Sequence, residues 1–277
     1  MKSLLLGGVV AAVALVPVDA NAQSAGSNIV TLGWMHITPM QHSTSISTDV
    51  TTTPIDSSLR LPRSFDSAGT ALTVSGTDTV GLTVSHFLTD HVAVTMLGGF
   101  PPLVSIKAQG NVVPPGPAGV LGNLNAGDPA LNPVVKSARA WTPTALLQYY
   151  FAGANSKFRP FVGVGASYAW FSDIQLSNNF IAGVRQSLGA PLSAAAAKPG
   201  VTQVQAKASP SWNPVANAGF TYNLTPHLGI TASVTYMPLQ TTATIYVKSA
   251  DGSVLSESKS KLTVDPLVSF VGMSYVF

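Results

Sequence analysis

The side chains that could do chemistry in this chain of 277 residues are few, and they are scattered. Five histidines, His36, His42, His86, His91 and His227, are the candidates for a base that works near neutral pH. Nucleophilic catalysis would need one of them beside a hydroxyl or carboxylate and oriented by a third group. Ser85-His86 and Asp90-His91 are neighbours in sequence. Neighbours on a strand point to opposite faces, however, so Ser85 and His86 do not share a site. His91 and His227 fall in short turns, where a polar ring faces water or headgroups, and His36 and His42 fall near the start of a long loop. A metal ion needs several converging donors, and after His42 the first carboxylate is Asp49. Cysteine is absent, which removes disulfides and thiolate ligands. Gly163 and Gly165 sit two apart inside a strand pattern, where they leave lumen space, and no helix follows them to cradle a phosphate. The residues therefore predict no catalytic group, no metal and no cofactor, and the lack of any basic cluster argues against a nucleic-acid partner.

The elements that hold these residues begin after a targeting segment. Met1 and Lys2 form a short positive start, an apolar stretch runs from Leu4 to Val18, and Ala20-Asn21-Ala22 offers the small residues that signal peptidases read. The expected cut falls after Ala22, leaving residues 23–277 as one domain. Only 9% of the chain is charged, against about 25% in soluble proteins, and the net charge is +3. So apolar a chain needs lipid around it, yet after Ala22 no run approaches the roughly 18 apolar residues of a spanning helix. A closed barrel is the remaining way to cross a bilayer with every backbone group paired.

Alternation supports that fold. Leu228, Ile230, Ala232, Val234 and Tyr236 form one face of a strand whose other face is Gly229, Thr231, Ser233 and Thr235. The same test finds strands at residues 79–85, 92–97, 144–151, 162–170 and 216–223. An opening strand near Ile29 to Pro39 and a closing one near Leu262 to Phe277 bring the count to eight, an all-β, antiparallel, up-and-down transmembrane barrel. Three connections are short. Four are long, at roughly 40–77, 108–137, 173–208 and 248–261, which places the short turns and both termini in the periplasm and the long loops outside. The second long loop carries Pro114, Pro115, Pro117, Pro129 and Pro133 and is not expected to continue a sheet. The third holds an alanine run, residues 193–198, that predicts one helical turn. Tyr149, Tyr150, Phe151, Phe158, Phe161, Phe220, Tyr222, Tyr275 and Phe277 read as a periplasmic aromatic girdle. Val271, Met273, Tyr275 and Phe277 alternate up to a terminal aromatic, the pattern by which barrels engage their assembly machinery.

These blocks resemble the outer-membrane protein W (OmpW) family. The hairpin from Pro143-Thr144-Ala145-Leu146-Leu147-Gln148-Tyr149-Tyr150-Phe151 through Ser156-Lys157-Phe158-Arg159-Pro160-Phe161 to Gly165 closely resembles its most recognisable stretch. Gly98-Gly99-Phe100-Pro101, Leu262-Thr263-Val264-Asp265-Pro266 and the final Gly272-Met273-Ser274-Tyr275-Val276-Phe277 are similar to its other blocks. The resemblance implies a monomer in the outer membrane of a Gram-negative bacterium, with a narrow channel that passes small apolar molecules, including by a side opening into lipid. Family members commonly carry an aromatic residue near Val234-Thr235-Tyr236, where this chain has Thr235.

The strand patterns put an uncharged surface inside, without the rings of charge that ion-selective pores use. Met35, Leu97, Gln148, Thr231 and Thr235 are the expected lumen-lining residues. Passive passage of small hydrophobic or neutral molecules is the expected function. The alternative is a closed surface protein whose long loops bind a partner such as a phage or bacteriocin.

Overall fold

In the computed structural model, which describes residues 23–51 and 62–277, eight long strands run antiparallel and close into a ring. The expected targeting segment lies outside the described residues. The strands are β1 (Asn28–Thr38), β2 (Thr77–Phe87), β3 (Val92–Gly99), β4 (Thr144–Tyr150), β5 (Phe158–Leu176), β6 (Ser211–Asn223), β7 (Leu228–Tyr236) and β8 (Leu267–Val276). Each pairs with its neighbours in sequence, and β8 pairs with β1 over ten residues from Val276↔Ile29 to Leu267↔Thr38. Closure follows from the alternation, because an open edge has no partner for its backbone in lipid. Leu32, Leu82, Met96, Leu147, Val164 and Met273 are exposed on the outside, whereas Thr31, Ser85, Thr95, Gln148 and Ser274 are buried within.

Two aromatic belts mark the membrane. Tyr149, Phe151, Phe158, Tyr222 and Tyr275 ring the periplasmic end, and Trp34, Phe100, Trp212 and Tyr236 lie outward near the other. At about 3.3 Å per residue and a tilt of about 40°, the ten steps from Phe158 to Tyr168 rise roughly 25 Å, the height of the apolar band of such barrels. Tyr150 and Phe161, expected in the girdle, instead point inward and are only 4% and 3% exposed. Alternation requires this, since Tyr149 and Val162 beside them face lipid.

Above the upper belt the long connections are not irregular loops. Leu103–Gln109, Val135–Trp141 and Ala71–Val74 extend the wall beside the top of β5. Facing them is a second sheet of Gln203–Ala208, Gln240–Lys248, Val254–Thr263, Ile46–Val50 and Ser64–Ser67, with His42–Ser43 paired to its third strand. Leu262 thus belongs to this sheet, and the closing barrel strand starts later, at Leu267. Side chains join the two sheets where ladders do not: Gln41 Nε2 donates to the Val74 carbonyl (2.8 Å), and the Val74 N–H donates to Gln41 Oε1. The prolines at 114–117 confine irregular backbone and a short 3-10 turn, Gly116–Leu121, to the loop tip, while its flanks pair.

The predicted single turn at 193–198 is replaced by an earlier and longer helical segment: α1 (Asn178–Val184), a π turn (Arg185–Gly189) and α2 (Ala190–Ala195). Ser177 caps α1 by accepting the Phe180 N–H at 3.1 Å. Phe180, Val184, Leu188 and Leu192 recur every fourth residue on its buried side. They pack with Val134, Val135, Val247 and Leu255 into a core between the two extracellular sheets.

Candidate functional site

From the periplasm upward, the interior begins with a seal. The chain parity that turns Gly163 and Gly165 inward also turns Arg159 inward, and its side chain has no exposed surface. Its Nη1 donates to the carbonyl and to Oε1 of Gln23, both at 2.9 Å, its Nε to Ala152 O at 3.2 Å, and its Nη2 to Asp90 O. The guanidinium carbon lies 5.1 Å from the Phe87 ring centre and 4.9 Å from that of Tyr150. Gln23 itself is buried and donates to Asn223 Oδ1 at 2.6 Å. Phe87, Tyr150 and Phe161 stack beside this cation and fill the base. The inner wall therefore carries a charge, contrary to the uncharged lumen expected from the strand patterns.

Higher up, hydroxyls and amides bond one another across the lumen. Thr95 Oγ1 donates to Gln148 Oε1 (2.6 Å), Gln148 Nε2 to Asn217 Oδ1 (2.8 Å), and Asn217 Nδ2 to Thr235 Oγ1 (2.9 Å). Nearer the periplasm Thr31, Ser274, Thr231 and Thr221 form a second chain with contacts of 2.6 to 3.0 Å. What remains is a cavity of about 30 Å³, room for a water or two. Met35, Leu97, Gln148, Thr231 and Thr235 all line it. Gly81 makes their packing possible, because a Cβ there would come within 2.6 Å of Met35 Cε and 3.0 Å of Phe270. The small residues that suggested free space on sequence grounds are thus used for hydrogen bonding and close packing.

The larger space lies above, in a region where the strand patterns carry no sign of it. Between the two extracellular sheets is a chamber of about 170 Å³. Its walls include Leu72, Val74, Val104, Ile106, Ala138, Ala140, Phe171, Leu239, Ile245 and Leu262, and Phe180, Val184 and Leu188 roof it. An aliphatic cavity of this size stays dry and accommodates a benzene-sized guest. Its roof is positioned locally: a Cβ on Gly122 would come within 2.3 Å of Leu188, so only glycine lets the loop pass under the helix. After α2, Lys198 Nζ reaches Asp251 Oδ2 at 3.1 Å and Ser253 Oγ at 2.6 Å, latching the roof to the hairpin at residues 249–253. Hydrogen bonds from Ser249 and Ser253, with help from Lys198, hold the Asp251 carboxyl well below the usual carboxylate range.

The wall of Leu103–Gln109 and Val135–Trp141 has a weak seam where it meets the barrel. β3 and β4 pair from Val92↔Tyr149 to Leu97↔Thr144, and the ladder resumes only at Leu103↔Arg139. Pro101, Pro102 and Pro143 lie between, without N–H groups to give. The Ala140 N–H donates to Pro102 O (3.0 Å), while the Phe100 N–H turns away to Val80 O (3.0 Å). Pro102, Ala140 and Thr142 line the chamber at this seam, level with the upper aromatic belt.

The histidines are spread around the molecule. His91 and His227 contact the carbonyls of Tyr150 (2.7 Å) and Val276 (3.1 Å), stapling periplasmic turns. His86 meets Asn28 Oδ1 (2.9 Å) on the outer face while Ser85 faces the lumen. His36 meets Asp78 (2.8 Å) beside Trp34, and His42 lies on an extracellular strand. Val271, Met273 and Tyr275 face outward along β8, and the N–H of Phe277 donates to Asn28 O (2.9 Å), tying the C-terminus to the first strand.

A closed ring of eight strands with an apolar outer band, two aromatic belts and short turns at one end is a transmembrane β-barrel. Comparison with known proteins narrows this. Residues 25–277 match the OmpW family, and the chain belongs to it. The outer membrane protein W of Vibrio cholerae is 30% identical over 206 residues, covering 74% of this chain and 76% of that one. Its Escherichia coli namesake is 24% identical over 206 residues, covering 74% and 75%. Among solved structures, the outer membrane protein OprG from Pseudomonas aeruginosa matches the fold with a TM-score of 0.66 at 24% identity, over 94% of this chain and 99% of that one. The protein resides in the outer membrane of a Gram-negative bacterium.

Proposed function

We propose that the protein takes small hydrophobic molecules into its extracellular chamber and releases them sideways into the membrane through the proline seam. The observation that carries this reading is the contrast between an apolar chamber of about 170 Å³ and a lumen beneath it that is bonded shut. Passage straight down would force an apolar solute past Gln148, Asn217 and Thr235 and then through the Arg159 seal, breaking hydrogen bonds that the solute could not replace. Passage outward crosses a stretch of wall where three prolines leave the strand ladder thin, at the upper aromatic belt where the acyl chains begin.

The test is uptake of an apolar fluorophore by liposomes containing the refolded barrel. Uptake should exceed that of protein-free vesicles, and filling the chamber with Ala138→Trp or Ala140→Trp should abolish the excess. Rates equal to those of empty vesicles, or filled variants as active as the parent, would remove the proposal.

A further inference from the structure

The outer face of the extracellular wall carries a feature that the chamber does not use. On Leu103–Gln109 and Val135–Trp141 the residues between the chamber-lining Ile106, Ala108, Val135, Ala138 and Ala140 point outward, and they include Lys107, Lys136 and Arg139. Lys107 and Lys136 are exposed and have no carboxylate partner among the described residues. On these two strands and residues 172–176 of β5, the only carboxylate is Asp173, which Arg139 Nε contacts at 3.2 Å. On the second sheet most cations are engaged: Lys259 is held between Asp49 (3.5 Å) and Glu257 (3.2 Å), Lys248 Nζ donates to Gln205 Oε1 (2.8 Å), and Lys207 lies 5.6 Å from the Tyr246 ring centre.

Directly below these cations runs an aromatic row. Trp141 stacks on Trp170 with ring centres 5.6 Å apart and planes 2° from parallel, Tyr168 lies 5.6 Å from Trp170, and Trp212 lies 4.9 Å from Tyr168. Trp141 is oriented by donating its Nε1–H to Ser172 Oγ at 3.1 Å. Rings at this height sit where acyl chains give way to headgroups. With the strand rise and tilt of such barrels, Arg139 stands about 5 Å above Trp141 and Lys136 about 13 Å above it.

We infer that this face binds the phosphorylated glycolipid of the outer leaflet, with acyl chains along the aromatic row and sugar-borne phosphates on Arg139, Lys136 and Lys107. Three cations above a hydrophobic shelf, two of them without a carboxylate partner, match the order of phosphate over acyl chain in such a lipid, and guanidinium and ammonium groups both pair strongly with phosphate. The inference concerns the outer surface and holds whether or not the chamber transports anything.

The row contains three of the four tryptophans, so intrinsic fluorescence of the full barrel in detergent reports on it. Titration with bisphosphorylated lipid A should give a saturable change, and a phosphate-free acylated disaccharide should not. Replacing Lys107, Lys136 and Arg139 together by Ala should raise the half-saturating concentration by at least about tenfold. Replacing Lys259 and Lys261 on the other sheet should change it less than about twofold. Asp173→Asn leaves all three cations in place, frees Arg139 and should tighten binding. Equal binding of the phosphate-free lipid, an unchanged midpoint in the triple variant, or weaker binding with Asp173→Asn would each overturn the inference.

Discussion

Arg159 has no exposed surface, yet every nitrogen of its guanidinium finds an acceptor, and two aromatic faces flank it. Removing such a group leaves the buried carbonyl of Gln23 without this donor and takes a partner from the Asp90 and Ala152 carbonyls, which costs more than the net value of the bonds. Arg159→Met keeps the side-chain length and discards the donors. It should lower unfolding stability by about 2–4 kcal/mol, read as a shifted urea midpoint in micelles. At this scale the sequence was half legible. Strand alternation places Gln148, Thr231 and Thr235 inside, and the structure has them there. The same alternation puts Tyr150, Phe161 and Arg159 inside as well. Composition argues the other way, since aromatics near a turn suggest a girdle and a charge suggests water. What decides is that the seal supplies a partner for each polar atom, and no linear pattern displays that.

At the level of elements, the eight barrel strands are legible because lipid imposes a strict apolar set on one face of each. The extracellular strands lack that constraint. Their outer faces meet water, and on Val254–Thr263 the inward residues Ser256, Ser258 and Ser260 blur the alternation further. The roof helix does carry a signal, the spacing of Phe180, Val184, Leu188 and Leu192. The alanine run beside it only draws attention to its far end. The roof is anchored by Lys198 to a turn whose order depends on an ionised Asp251. Its folded pKa is depressed, so the contribution is fully present above the ordinary carboxylate value and is lost as pH falls from about 4 through the lowered value. The Ser253 amide resonance should hold steady from pH 7 down through about pH 4 and move only well below it, and Asp251→Asn should abolish that movement. A resonance that moved between pH 7 and pH 5 would dissociate the turn from this carboxylate.

For the whole molecule, the barrel and its extracellular extension are two regimes stacked end to end. Below the upper belt the interior is polar, bonded and narrow; above it the interior is apolar and hollow. Strand alternation predicts the closed cylinder but puts the usable space in the lumen. Eight strands around mid-sized side chains leave almost none, and the chamber is assembled from segments far apart in the chain, such as Leu72, Ala138 and Leu262. Planar-bilayer recordings should show no steady ion conductance for the parent, while Arg159→Ala and Gln23→Ala combined with Gln148→Ala and Asn217→Ala should produce measurable current. A parent that conducts without these changes would contradict a sealed base.

That seal has a bearing on how many copies a cell can tolerate. A wide pore admits every hydrophilic antibiotic small enough to fit, so its abundance trades nutrition against vulnerability. A cylinder stoppered by Gln23 and Arg159 opens no such path, however densely it is inserted. On the proposed sideways route, the hazard would shift to greasy toxins, and overproduction should sensitise cells to lipophilic drugs while leaving their resistance to polar ones untouched.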